Sequence, residues 1–156
     1  MALAVCVAGS STALAQGTSL SFAGLNAVRG EPVEVRSDSL EVNNTTGETV
    51  FSGNAVLGQG DMRLAAQTIK VVYEPGDNSR IRRLEASGQV TLVTAQEAAE
   101  AASAVYDIES GTVRMRGSVI LTQGPNVLSG ERLTVNLRSG QGRLDGGVRT
   151  IIQTDR

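Results

Sequence analysis

The chain has 156 residues with 14 Lys and Arg against 16 Asp and Glu, 40% hydrophobic residues, 3% aromatics and no tryptophan. That length supports one domain, the hydrophobic content excludes a wholly disordered chain, and the scarcity of aromatics leaves Val, Leu, Ile and Ala to build any core. A net charge of −2 with no run of Lys or Arg disfavours nucleic acid as a partner, and the absence of histidine removes the commonest general base, the commonest metal ligand and any Ser-His-Asp triad.

Residues 1–15 are uncharged, rich in Ala, Val and Leu, and close on Ala13, Leu14, Ala15, a small-x-small cleavage pattern. They read as a signal peptide without the usual basic n-region, so either the true start lies upstream of Met1 or the signal is weak. At about fifteen residues, with Gly9 and Ser10 inside it, the segment is too short and polar to span a bilayer about 30 Å thick. Removal at Ala15 takes away Cys6, the sole cysteine, and leaves a chain without thiols, which suits an oxidising compartment. Residues 16–32 are expected to be a flexible lead-in, residues 33–152 the folded domain, and residues 153–156 a tail.

Within the domain, short runs alternate apolar and polar residues: Ile69, Val71, Tyr73; Val90, Leu92; Val113, Met115; Leu133, Val135, Leu137. That is the period of half-buried strands. Turn signals separate them at Asn44–Gly47, Pro75–Asn78, Ser110 with Gly111, Gly124–Asn126 and Ser139–Gly142, none long enough to be a linker. Arg80, Arg82 and Arg83 read as a solvated strand face. Residues 95–104 are Ala- and Glu-rich and look helical, although the repeat described next makes the second half of this stretch a strand.

Ser39–Val71 overlays Ser103–Val135 without a gap, matching Gly47 with Gly111, Gly53 with Gly117, Gly60 with Gly124, Leu64 with Leu128 and Val71 with Val135. The chain is an internal duplication. A finer unit, Gly-x-(Val/Ala)-x-(Leu/Thr), recurs at Gly53, Gly88, Gly117 and Gly146. Units of about thirty residues cannot bury an apolar side alone, so they stack. Glu41, Glu48, Glu85, Glu109 and Asp145 fall mostly on polar alternates, and no acid-base pair or metal-ligand set emerges. Alternation shows which side chains point inward, but it leaves a filled core and an open trough as equal readings.

The signature Tyr106, Asp107, Gly111, Val113, Gly117, Val119, continued by Leu121, Gln123, Gly124, Leu128, Gly130 and Leu133, resembles the OstA-like family of lipopolysaccharide-export proteins. The likeness spans Val33–Ile152. The first copy departs from it, with Asn43 in the place of Asp107 and Ala55 in the place of Val119.

The resemblance implies an all-β fold, a twisted open β-jellyroll of two facing antiparallel sheets holding the acyl chains of lipid A. Its groove lining is then Val42, Ala55, Leu57, Leu64, Ile69, Val71, Val90 and Leu92 from the first part of the chain. Tyr106, Val113, Met115, Val119, Leu121, Leu128, Leu133 and Val135 follow from the second. Such a groove answers a plain cost: at about 0.8 kcal/mol per exposed methylene, a chain of about ten methylenes opposes aqueous transfer by about 8 kcal/mol.

Catalysis, metal and cofactor are not part of what the resemblance implies. Partners are an LptC-like inner-membrane receptor and an LptD-like outer-membrane translocon, in the periplasm. Head-to-tail self-association is implied too, through edge strands carrying Val33, Val35 and Leu40 at one end and Leu144, Val148, Thr150 and Ile152 at the other. The alternatives are a membrane-anchored receptor subunit of the same pathway and a β-repeat scaffold that binds no lipid.

Overall fold

A computed structural model of the chain describes residues 18–21 and 31–154. Eleven strands make up the described fold: β1 (Thr18–Ser21), β2 (Glu34–Arg36), β3 (Ser39–Asn43), β4 (Glu48–Gln59), β5 (Met62–Glu74), β6 (Asp77–Val93), β7 (Glu97–Asp107), β8 (Thr112–Gln123), β9 (Asn126–Asn136), β10 (Gln141–Asp145) and β11 (Arg149–Ile151). There is no helix among the described residues. All pairs are antiparallel, in the order β1-β10-β9-β8-β7-β6-β5-β4-β2, with β3 also on β4 and β11 also on β9, and the ladder does not close on itself.

The recurring glycine unit is the device that turns this one ladder into two facing halves. Register breaks lie between Ser52 and Ala55, Ala65 and Thr68, Ser87 and Val90, Glu100 and Ser103, and Arg116 and Val119. At each glycine corner two successive residues take positive φ: Gly53 (79°) with Asn54 (45°), Gly88 (81°) with Gln89 (48°), Gly117 (88°) with Ser118 (47°), and Gly146 (86°) with Gly147 (59°). Such paired left-handed residues bulge and bend the strand. The first position must be glycine for a second reason, since a Cβ on Gly117 would stand 2.7 Å from Cβ of Ala102.

Strand segments on one side of the corners, with β3, β10 and β1, form the first half. Those on the other side, with β2 and β11, form the second. Buried residues of both halves belong to one hydrophobic cluster, and the hydroxyl of Tyr106 in the first half reaches Gln59 in the second. The halves therefore face each other over a shared interior.

The duplication is visible in the backbone. Asn43 Oδ1 accepts from the amides of Thr45 (3.0 Å) and Thr46 (3.1 Å) before Gly47 at φ 68°; Asp107 Oδ1 accepts from the amide of Ser110 (2.8 Å) before Gly111 at φ 64°. Asn136 repeats the turn with Arg138 and Ser139. These are Asx turns, in which a short polar side chain replaces a backbone acceptor.

Two expectations are resolved. Residues 97–107 form one continuous strand, in agreement with the strand reading of the second half of the Ala-Glu stretch, and pairing on both sides with β6 and β8 decides the part left open between helix and strand. Residues 18–21, within the expected flexible lead-in, are a strand because β10 offers them an unpaired backbone edge. The signal-peptide reading of residues 1–15 lies outside the described residues.

Candidate functional site: the aliphatic interior

Directly opposed residues on neighbouring strands share a face. Following the register across the ladder therefore defines rows that run the length of the molecule. In the first half one inward row is Leu40, Phe51, Ile69, Ala86, Ala104, Met115, Leu133, Leu144. A second is Val42, Thr49, Val71, Leu84, Tyr106, Val113, Val135, Gly142. In the second half the row Val35, Leu57, Leu64, Leu92, Ala99, Leu121, Leu128, Thr150 faces them. None of the three contains a charge.

Fifteen of the sixteen expected lining residues are buried: Ala55, Leu57, Leu64, Ile69, Val71, Val90, Leu92, Tyr106, Val113, Met115, Val119, Leu121, Leu128, Leu133 and Val135. Val42 differs, being 54% exposed; it occupies an inward row, but β3 is the end of the ladder and nothing among the described residues covers it. Leu40 beside it is 56% exposed for the same reason. The interior is thus sealed along most of its length and uncovered at the β3 end.

The expected edge residues divide. Val35 and Leu40 lie on β2 and β3, and Thr150 on β11, at the ends of the ladder. Leu144 does not: it is fully buried on β10, which β1 covers. Val33 and Val148 fall just outside strands and pack half-buried against the core, and Ile152 lies beyond β11 and is exposed.

Pattern reading overlooked the small residues Ala86, Ala99, Ala101 and Ala104, all buried in the interior. Alanine is a weak hydrophobic signal, and three of the four sit in the stretch that looks helical. Their period-two spacing from Ala99 to Ala101 was the available clue.

The far end of the second half is polar. Gln123 stands opposite both Glu97 and Asn126. Glu97 is buried, with Oε2 accepting from the Thr94 hydroxyl at 2.5 Å, and Oδ1 of Asn126 is buried without a partner among the described residues. Next to this end, the Tyr106 hydroxyl donates to Gln59 Oε1 at 3.2 Å, and Gln59 Nε2 donates to the carbonyl of Glu31 at 3.0 Å. Burial raises the Tyr106 phenol above its ordinary value, against the opposing pull of the Arg138 charge and the Gln59 hydrogen bond. Glu97 is the one buried charged residue among the described residues; on the outer face Lys70 pairs with Glu48, and that contact holds its ammonium above its usual range. No group of His, Cys, Asp and Glu that could hold a metal occurs among the described residues.

What fold and interior define is an open antiparallel β-jellyroll built around continuous aliphatic rows. Residues 34–141 match the family described as LptA/(LptD N-terminal domain) LPS transport protein, and the chain belongs to that family. It is similar to Uncharacterized protein R00383 of Rhizobium meliloti (strain 1021), with 34% identity over 166 residues, 99% of this chain and 89% of that one. Among solved structures it is similar to LptH of Pseudomonas aeruginosa, described as the LptA homologous periplasmic component of the conserved lipopolysaccharide transport device. That superposition has a TM-score of 0.71 at 16% identity and covers 81% of this chain and 99% of the other, a likeness of fold. The family is one of transport proteins, not enzymes.

Proposed function

We propose that this chain is an LptA-type periplasmic bridge that carries lipopolysaccharide from the inner to the outer membrane with the lipid A acyl chains held between its two halves. The observation that carries this reading is the set of three charge-free rows spanning the ladder, two of them left bare at Leu40 and Val42. An acyl chain entering there exchanges water for aliphatic wall at about 0.8 kcal/mol per methylene. These walls rest on each other in one hydrophobic cluster, so cargo has to part the halves. Because the ladder is open, parting them breaks no strand pairing at the open side. An LptC-like receptor and an LptD-like translocon are the partners of this reading, and a second copy of the chain is the third.

A photo-crosslinking residue placed at Leu121 or Leu128 tests the proposal in cells. Lipopolysaccharide is captured from these inward sites and not from Arg114 on the outer face; capture from Arg114 alone overturns it.

The near-complete burial of the interior favours one competing reading, a scaffold whose core is permanently filled. The two differ in whether a fluorescent lipid probe bound to the purified protein is displaced by lipopolysaccharide. A third, the membrane-anchored receptor subunit, is separated by N-terminal sequencing of the exported protein, which finds a cleaved start near Gln16 in a bridge and an uncleaved one in an anchored receptor.

A further inference from the structure

The most specific feature left unexplained is β1. Thr18, Ser19, Leu20 and Ser21 stand opposite Leu144, Arg143, Gly142 and Gln141, so the chain's own N-terminal segment occupies the edge of β10. At the other end of the same half the edge is β3. Six antiparallel steps separate β4 from β10, so these two strands run the same way, and β3 and β1, each antiparallel to its neighbour, do too.

The rows sharpen the comparison. The row that begins at Glu41 on β3 passes through Lys70 and Arg114 and ends at Arg143, opposite Ser19. By the same tracing, the row of Leu40 ends opposite Thr18 and the row of Val42 opposite Leu20. A second copy displaced along the rows would bring its β3 to β10 in the direction and register that β1 now holds.

Charge points to the same occupant. The β2–β3 end carries Glu31, Glu34, Asp38 and Glu41 against Arg36, whereas the β9–β11 end carries Arg132, Arg138, Arg143 and Arg149 against Glu131 and Asp145. Glu41 makes no ion pair among the described residues, and Arg143 has only Asp145 of its own strand, at 2.8 Å, with half its side chain exposed. Opposite charges facing across an antiparallel pair stabilise it. The second half adds only backbone, because there Arg36 and Arg149 lie on one row and would meet as like charges.

We infer that β1 is a built-in competitor for the β10 edge. It holds the place of β3 from the next copy, and the protein assembles head to tail by exchanging one strand for the other, with Glu41 of the incoming copy taking the position of Ser19 opposite Arg143. This rests on the self-association in the functional reading and adds what limits it. While β1 is paired, β10 exposes no backbone, which protects a lone subunit from unspecific strand addition. The exchange trades serine for glutamate opposite arginine, so it favours the correct partner.

The test is the assembly constant of the exported protein by sedimentation. The double variant Ser19→Pro with Leu20→Pro removes two successive amide donors, one of which must face β10. It should assemble at least about tenfold more tightly than the parent. Ser19→Glu, which pairs with Arg143 within one chain, should assemble more weakly. Residues directly opposed in an antiparallel pair lie about 4.5–5.5 Å apart at Cα, within disulfide reach. Ser19→Cys with Arg143→Cys, in a Cys6→Ser background, should close into a monomer that assembles only after reduction.

Failure of the cysteine pair to close within the monomer overturns the masking. Closure, with assembly indifferent both to reduction and to the two prolines, overturns the competition. Lipopolysaccharide uptake by the locked monomer is read separately, so failure of carriage is distinguished from failure of the mask.

Discussion

The Tyr106 hydroxyl on β7 and Oε1 of Gln59 on β4 are 3.2 Å apart, although the two strands are not neighbours in the ladder. This bond ties the first half to the second at the ends of their strands, and through Nε2 of Gln59 it reaches the carbonyl of Glu31 ahead of β2. It is a latch between the strand ends of the two halves.

Tyr106→Phe keeps the ring and removes the latch. Stability should fall by about 1 kcal/mol in urea unfolding, the usual net worth of one hydrogen bond. Lipopolysaccharide should load faster. Burial raises the phenol's folded pKa, so the stability linked to its proton is full below the unfolded value of about 10 and is lost as pH climbs through the folded one. Unfolding followed from pH 9 upward should show that loss in the parent and a smaller one in the variant.

The corners can be separated from ordinary turns. Gly117→Ala meets both a φ of 88° and the Cβ of Ala102 at 2.7 Å, while Gly124→Ala has a φ of 55° and nothing within 4 Å. The first should cost about 2–4 kcal/mol by strain and overpacking, the second about 1 kcal/mol by backbone conformation alone. Equal losses in chemical denaturation would contradict the corner as described.

Asp107 gives a pH signature. Its carboxylate accepts from the amide and the hydroxyl of Ser110, each at 2.8 Å, and these bonds hold its pKa below the ordinary aspartate value. A depressed folded pKa contributes stability that is complete above the unfolded value of about 3.9 and disappears as pH falls through the folded one. Asp107→Asn should keep the turn, as Asn43 and Asn136 do in the equivalent turns, and should reduce the acid loss seen by circular dichroism below pH 4. Asp107→Ala should cost about 1 kcal/mol at neutral pH.

Inside and outside respond differently to substitution. Leu121 is fully buried, so Leu121→Ala should cost about 2–5 kcal/mol, and Leu121→Asp, which strands a carboxylate without a partner, should cost more and abolish lipid binding. Arg114→Asp on the exposed face should change stability by about 0.5 kcal/mol or less and leave lipopolysaccharide binding intact. Leu40→Asn probes the bare end: with 56% of Leu40 exposed, stability should hold to within about 0.5 kcal/mol while lipid capture weakens.

The all-β class was legible in the alternation of Ile69, Val71 and Tyr73 and of Leu133, Val135 and Leu137, because an apolar residue at every second position has only one regular backbone on which to share a face. The glycine unit was legible as a repeat but not as a corner, since a glycine in sequence carries no sign of φ. The Ala-rich stretch was legible only in part, its second half as strand through the repeat and its first half open, because alanine is both the best helix former and small enough for a tight strand interior; pairing of β7 on both sides decided it.

By itself the sequence determined what each residue prefers locally: the strand period, the Asx and glycine turns, the duplication, and an inward face without charge. Only the tertiary structure decided relations between distant positions. Which strand is an edge, that Val42 is bare while Leu57 is sealed, that Gln59 meets Tyr106, and that β1 takes the edge of β10 all depend on which surfaces the folded chain brings together. Local preference acts over a few bonds, whereas burial and strand pairing are properties of whichever neighbour arrives, and a linear pattern does not name that neighbour.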